Sequence, residues 1–443
     1  MLSEDIEINN VVKAQEFNAA VIDLIKVKDK LGLDLPVDPN AILKPKIYVA
    51  LNAESVFIKL LDSTVKSVGN NENFNLLLDD NIDKNTFTKS DVENIKEIFP
   101  TSENTFVLKT DNTLWGIGDN GNGQLGLDHN NLVESLTKLS VNDVRSVVVN
   151  RDNTLVVKND DTLWTCGSNG EYLLGVGEIE DVFAFTDTGL TNVDRVFMND
   201  EYAFALLNNG ELYSCGYNSS GQLGLGGDVG VTSFTKVNGL VVKDVYVGYE
   251  TTFIKDVDGR ILVTGYNDEG NCGLGHNDMV TTFTDTGLRD GKILTNNHSE
   301  SSIHISDDGV VYGCGYNGNY DLGLGHSDIV NAFTLLPVEG VKDGIFLEDS
   351  SMLITEQGNV YVAGNDDDGY IGTGTGNVVS VFTNLGINNV AFILSTNEST
   401  YLVKNDGTLL VTGYNEKGQL GLGHEDTVYE FIKVPNVEII INI

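Results

Sequence analysis

A nine-residue segment returns seven times along the chain, and its register constrains the fold more than any other feature. It reads GDNGNGQLG from Gly118, GSNGEYLLG from Gly167, GYNSSGQLG from Gly216, GYNDEGNCG from Gly265, GYNGNYDLG from Gly315, GNDDDGYIG from Gly364 and GYNEKGQLG from Gly413. The intervals are 49, 49, 49, 50, 49 and 49 residues. Eight residues after each lead glycine stands another, from Gly126 to Gly421. Two further on comes a third in six copies, with Asp128 in its place in the first. Repetition at this period marks a unit of supersecondary structure that buries its apolar face only against its neighbours.

Two more columns keep the same step. Six residues before each lead glycine stand Asn112, Asp161, Gly210, Gly259, Gly309, Gly358 and Gly407. These residue types accept the positive φ of a tight hairpin turn. Short runs rich in β-branched and aromatic residues flank each turn, such as TLVVK before Asp161 and TLWTCG after it. Upstream of the hairpin lies a third column, Phe87, Leu136, Phe185, Phe234, Phe283, Phe333 and Phe382, with Phe431 opening another. Each unit therefore holds about four short strands joined by turns. Seven such units predict an all-β fold, a seven-bladed β-propeller of four-stranded blades over residues 87–443. The later copies are as regular as the second, where a linear array needs atypical caps. A closed ring also leaves few free sheet edges.

The string GYNxxGQLGLG at Gly216 and Gly413, preceded by a strand, resembles the regulator-of-chromosome-condensation repeat. The resemblance implies a seven-bladed propeller. The family's founding member is a nucleotide-exchange factor that docks on nucleosomes, but many relatives are plain interaction scaffolds. Exchange in that family depends on an inserted wedge and specialised loops. These repeats vary by one residue and leave no room for an insertion, so exchange activity is not expected; fold alone does not give function.

Residues 1–86 lie outside the repeats. Phe17, Val21, Leu24 and Leu31 fall on helical spacing, followed by a connector with Pro36, Pro39 and Pro45. Residues 1–45 read as a docking or anchor helix with a Pro-rich connector. Residues 46–86 read as a transition segment. Within it, Phe57, Leu60, Leu61, Val65 and Val68 predict a second amphipathic helix over 54–68. Gly69, 49 residues before Gly118, is read as the cap of that helix, ahead of a decayed eighth repeat.

Charge narrows the partners. The chain carries 27 Lys and Arg against 65 Asp and Glu, a net charge of −38. Residues 1–100 hold 11 Lys and 17 acidic residues, a net of −6, which leaves −32 on the remainder. Such a chain is not expected to bind nucleic acid, whose affinity rests on Lys and Arg. No run of 18 apolar residues predicts a membrane span, and the acidic start MLSEDIEINN is no secretory signal.

Candidate chemistry is sparse. His129, His276, His326 and His424 share one column, each followed two residues later by Asn or Asp. Matching positions on different blades are too far apart for one ion, so they read as loop structure before they read as a metal site. Tyr217, Tyr266, Tyr316 and Tyr414 each follow a lead glycine and read as packing residues or as an aromatic ring facing a ligand. The tyrosines and histidines are the candidate partner- or receptor-binding residues. Phe17, Val21, Leu24 and Leu31 are the candidate docking residues, and Gly118, Gly167, Gly216, Gly265, Gly315, Gly364 and Gly413 are structural. Cys166, Cys215 and Cys314 precede lead glycines and, with Cys272, are expected as free thiols. No catalytic set, metal site or cofactor is expected.

The sequence thus predicts a non-enzymatic interaction or display protein. A small anchor before a large acidic β-domain resembles the layout of phage tail or tail-like particle proteins. That layout implies assembly partners at the N-terminus, a surface glycan or protein receptor at the propeller loops, and a virion or extracellular location. The alternative is a cytoplasmic scaffold or small-GTPase exchange factor.

Overall fold

The computed structural model describes residues 46–439, apart from 50–53, 61–63, 296–299, 348 and 397. These residues form eight four-stranded antiparallel sheets arranged as a closed ring. The blades span 46–90, 95–138, 144–187, 193–237, 242–289, 292–335, 341–384 and 390–438. Within each, four consecutive strands lie side by side in chain order. No helix occurs among the described residues, so none there is long and apolar enough to cross a membrane.

Radial position follows from burial. Second strands have an apolar centre and are buried almost end to end, as in Tyr202–Leu207 and Ser350–Thr355. A strand covered on both faces by neighbouring blades reads as a continuous apolar run, without alternation. Fourth strands such as Val133–Lys138 are largely exposed and form the outer rim. First strands are innermost and meet across blades, where Arg195 pairs with Asp244 at 2.9 Å and Lys292 with Asp343 at 2.5 Å. The hairpin-turn column behaves as its chemistry requires: Asn112 and Asp161 have φ of 61° and 62°, and Gly210 has 81°.

Seven repeat units make eight blades because unit and blade are out of phase. The unit that begins at Phe87 supplies the outer strand of one blade (Lys84–Ser90) and the three inner strands of the next. Strands Lys46–Val49, Ser55–Lys59 and Val65–Gly69 complete the first blade, and Val428–Glu438 completes the last. The expected seven-bladed ring is therefore corrected to eight. The expected helix over 54–68 is corrected as well. Phe57, Val65 and Val68 lie on two strands paired Ser55↔Gly69 and Phe57↔Ser67, and Gly69 (φ 108°) is a lead glycine, not a helix cap; Leu61 lies outside the described residues. The docking helix and connector expected over residues 1–45 lie outside the described residues.

Two of the sequence columns meet between blades. The second glycine of one blade lies under the phenylalanine of the next blade's outer strand, as in Gly175 with Phe234 and Gly224 with Phe283. Gly421 meets Phe87 in the same way and closes the ring from blade 8 to blade 1, where Gly423 also donates its N–H to the Asn85 carbonyl at 2.7 Å. At Gly224 φ is +67°, and a Cβ would lie 2.4 Å from the Phe283 ring. Gly224→Ala combines a left-handed backbone with overpacking, so it should cost about 3 kcal/mol. Denaturant unfolding checks this; a loss below about 1 kcal/mol would mean that the joint yields.

Candidate interaction face

The loops between first and second strands and those between third and fourth strands share one end of the ring. An asparagine from the repeat motif braces seven of the eight longer loops. Asn120 Oδ1 accepts the Leu125 N–H at 2.8 Å while its Nδ2 donates to the His129 carbonyl at 2.6 Å. Asn218, Asn267 and Asn415 repeat both bonds and are almost wholly buried. Asp366 takes this place in blade 7, and there the Thr373 hydroxyl donates to it instead.

The histidines lie on these loops, one each on blades 2, 5, 6 and 8. In each, Nδ1 accepts the N–H of the residue two positions on, at 3.2 Å for His129, His276 and His424 and 3.3 Å for His326. The ring closes a local turn, and the four imidazoles do not converge. Among the described residues no group of three or more His, Cys, Asp or Glu comes together to hold a metal.

The tyrosines lie nearer the axis on the same face. Tyr217, Tyr266, Tyr316 and Tyr414 donate their backbone N–H groups to the carbonyls of Glu201, Glu250, Glu300 and Glu398. Their side chains are half-buried except Tyr316, which is exposed. A hydrogen bond from the Tyr414 hydroxyl to Glu416, 2.8 Å long, helps push its pKa up to about 12. The four cysteines are buried and free. Cys166 and Cys215 each point Sγ at a backbone oxygen of the preceding blade, and desolvation drives their pKa values upward. Phe17, Val21, Leu24 and Leu31 lie outside the described residues.

Two further features of this face were not singled out in the sequence. One is an acidic column fifteen residues before each lead glycine: Glu54, Glu103, Asp152, Glu201, Glu250, Glu300, Asp349 and Glu398. It places one carboxylate per blade in the loops that follow the innermost strands. The second is a set of exposed apolar side chains within three residues of the start of the outer strand. Ile82, Leu132, Ile179, Val229, Met279, Ile329 and Val378 provide one on each of seven consecutive blades, between 42% and 75% exposed. The face thus has carboxylates toward its axis and an apolar rim. The signal for the first was available, since the column keeps the 49-residue step.

Comparisons with known proteins agree with this architecture. Residues 193–222 and 209–254 match the regulator of chromosome condensation (RCC1) repeat. The chain therefore carries RCC1-type repeats in a propeller. In fold it is similar to human WBSCR16, at 21% identity with a TM-score of 0.57, over 73% of this chain and 93% of that one. It is also similar to Prp20p from Saccharomyces cerevisiae, at 18% identity with a TM-score of 0.55, over 73% and 85% of the two chains. Yeast RCC1 (Prp20) bound to Kap60 aligns at 16% identity with a TM-score of 0.55, over 83% of each chain. At these identities the likeness shows the fold alone. No curated protein matches the sequence.

Proposed function

We propose that this chain is a non-enzymatic interaction module that binds another protein through the loop face just described. The observation that carries this reading is the apolar rim. Single exposed apolar residues are ordinary on a protein surface, but here one recurs beside the outer strand on seven consecutive blades, in loops rich in Asn, Asp and Gly. Exposed apolar groups framed by polar ones are the usual mark of a contact surface. The fold likeness fits, since Prp20p was described with its binding properties to Gsp1p and histones, and yeast RCC1 was solved bound to Kap60. Nothing in the comparisons or the geometry supports the narrower reading of a phage tail or particle component, and the proposal does not include it.

The test is affinity capture with the full chain and with Ile179→Ser/Val229→Ser/Met279→Ser. A partner retained by the parent and lost by the triple variant, with both equally stable, is the expected result. Equal retention would remove the rim from the binding surface. Acceleration of nucleotide release from a small GTPase would replace the scaffold reading with exchange.

A further inference from the structure

Taking the loop face as a docking surface, we infer that its occupant is a protein with a basic contact patch, placing Lys or Arg over the acidic loops of blades 3–6 and apolar side chains on the rim. Charge sets the chemistry. Within the described loops of this face Arg151 and Lys417 are the only Lys or Arg residues, and both are already paired. Lys417 meets Glu72 at 2.5 Å and Asp83 at 3.5 Å, and Arg151 meets Glu103 at 3.4 Å.

Blades 3–6 are where the carboxylates are least satisfied. At three joints the preceding blade's loop offers the column carboxylate a hydrogen-bond donor. Asn122 donates to Asp152 at 2.8 Å, Ser220 to Glu250 at 3.0 Å and Asn319 to Asp349 at 2.5 Å. At three other joints the donor's position holds an acid: Glu171 before Glu201, Glu269 before Glu300, and Asp368 before Glu398. Glu201 Oε2 and Glu269 Oε2 are buried without a hydrogen-bond partner. Burial and the neighbouring carboxylates hold the Glu201 and Glu300 pKa values above the usual range. Tyr249, 43% exposed, stands among Glu201, Glu250 and Glu300, and an exposed aromatic ring beside carboxylates is compatible with a cation. A basic partner relieves this like-charge crowding. A second copy of the chain aggravates it by bringing two acidic faces together.

The test uses the full chain and an 18-residue amphipathic peptide of Lys and Leu, with its Glu-for-Lys counterpart as control, read by fluorescence anisotropy at low and high salt. Glu201→Gln/Glu250→Gln/Glu300→Gln is compared with Asp111→Asn/Asp160→Asn/Asp406→Asn, which removes equal charge from the opposite face. The first triple should weaken Lys–Leu binding about tenfold and the second less than about twofold, with the difference shrinking at high salt. Equal weakening by both triples would reduce the effect to net charge and overturn the inference. Stoichiometric calcium binding lost in the first triple, or self-association through this face, would also overturn it. If the Glu–Leu control binds as tightly and Ile179→Ser/Val229→Ser/Met279→Ser abolishes it, the docking face stands and only the basic partner fails. If rim substitution leaves both peptides unaffected, the docking face itself fails.

Discussion

A chain beginning at residue 87 is expected not to fold as a soluble monomer, whereas one beginning at residue 46 is. The shorter chain keeps every repeat that the glycine register marks, but it loses the three inner strands of blade 1. Val56, Ile58 and Val68 of those strands pack with Tyr401, Val403, Leu409 and Val411 of blade 8. Phe57 and Val65, with Leu76 and Leu77, pack against Ile98 and Val107 of blade 2. Each of these buried side chains contributes about 1.5–3 kcal/mol. Seven of them together represent on the order of 10–20 kcal/mol, as large as the whole stability of an ordinary domain at about 5–15 kcal/mol. The cut also leaves two blade faces open to water. Size-exclusion chromatography with light scattering and thermal unfolding would decide it. A monomeric, cooperatively unfolding 87–443 would mean that the ring can close with seven blades after all.

That contrast also locates what the sequence could and could not show. The lead glycines, the turn column and the phenylalanine column were legible because each answers a local demand, a positive φ or a ring that needs room. Their meeting across blades was not, because Gly224 and Phe283 are 59 residues apart and nothing local pairs them. Blade 1 was hidden by substitution. Phe74 (φ 64°) and Leu77 (φ 60°) hold the left-handed backbone that Gly123 (φ 76°) and Gly126 (φ 62°) hold in blade 2. Leu136 stands at the phenylalanine position of that joint. With those glycines gone, the spacing of Phe57, Val65 and Val68 imitated a helix face. Glu54, fifteen residues before Gly69, was the available correction: its carbonyl accepts the Asn70 N–H at 2.8 Å, as Glu103 does from Asp119 in blade 2. The proposed docking face was legible only in part. The tyrosine and histidine columns do lie on it, but the net charge of the propeller gave no direction. The apolar rim becomes visible only when burial separates it from the strand that follows.

Replacing Asp321 by Asn should stabilise the protein, and the gain should grow with pH. Asp321 occupies a column held by Gln124, Gln222, Asn271 and Gln419 in other blades. There the amide oxygen accepts the N–H two residues back, and Gln124 and Asn271 also donate across the joint to carbonyls of Arg151 and Glu300 in the next blade. An ionised aspartate cannot donate, and Asp321 Oδ1 is buried without a hydrogen-bond partner. Burial pushes its pKa up to about 7, the nearby Asp349 adds to the shift, and a hydrogen bond with Ser301 opposes it. The folded-state value thus lies above the unfolded value of about 3.9. The stability this group contributes is complete below about pH 4 and is lost as pH rises through about 7. The loss approaches on the order of 4 kcal/mol, at about 1.4 kcal/mol per pH unit. Asn cannot ionise, so the difference between Asp321→Asn and the parent should widen from pH 5 to pH 7 and level off by pH 8. Urea unfolding at pH 5, 6.5 and 8 measures it. A difference that stays constant with pH would show that Asp321 ionises in the folded protein as readily as in the unfolded chain, so that burial does not raise its pKa. A variant less stable than its parent at pH 8 would show that the carboxylate is bound there by a cation or a donor that Asn does not replace.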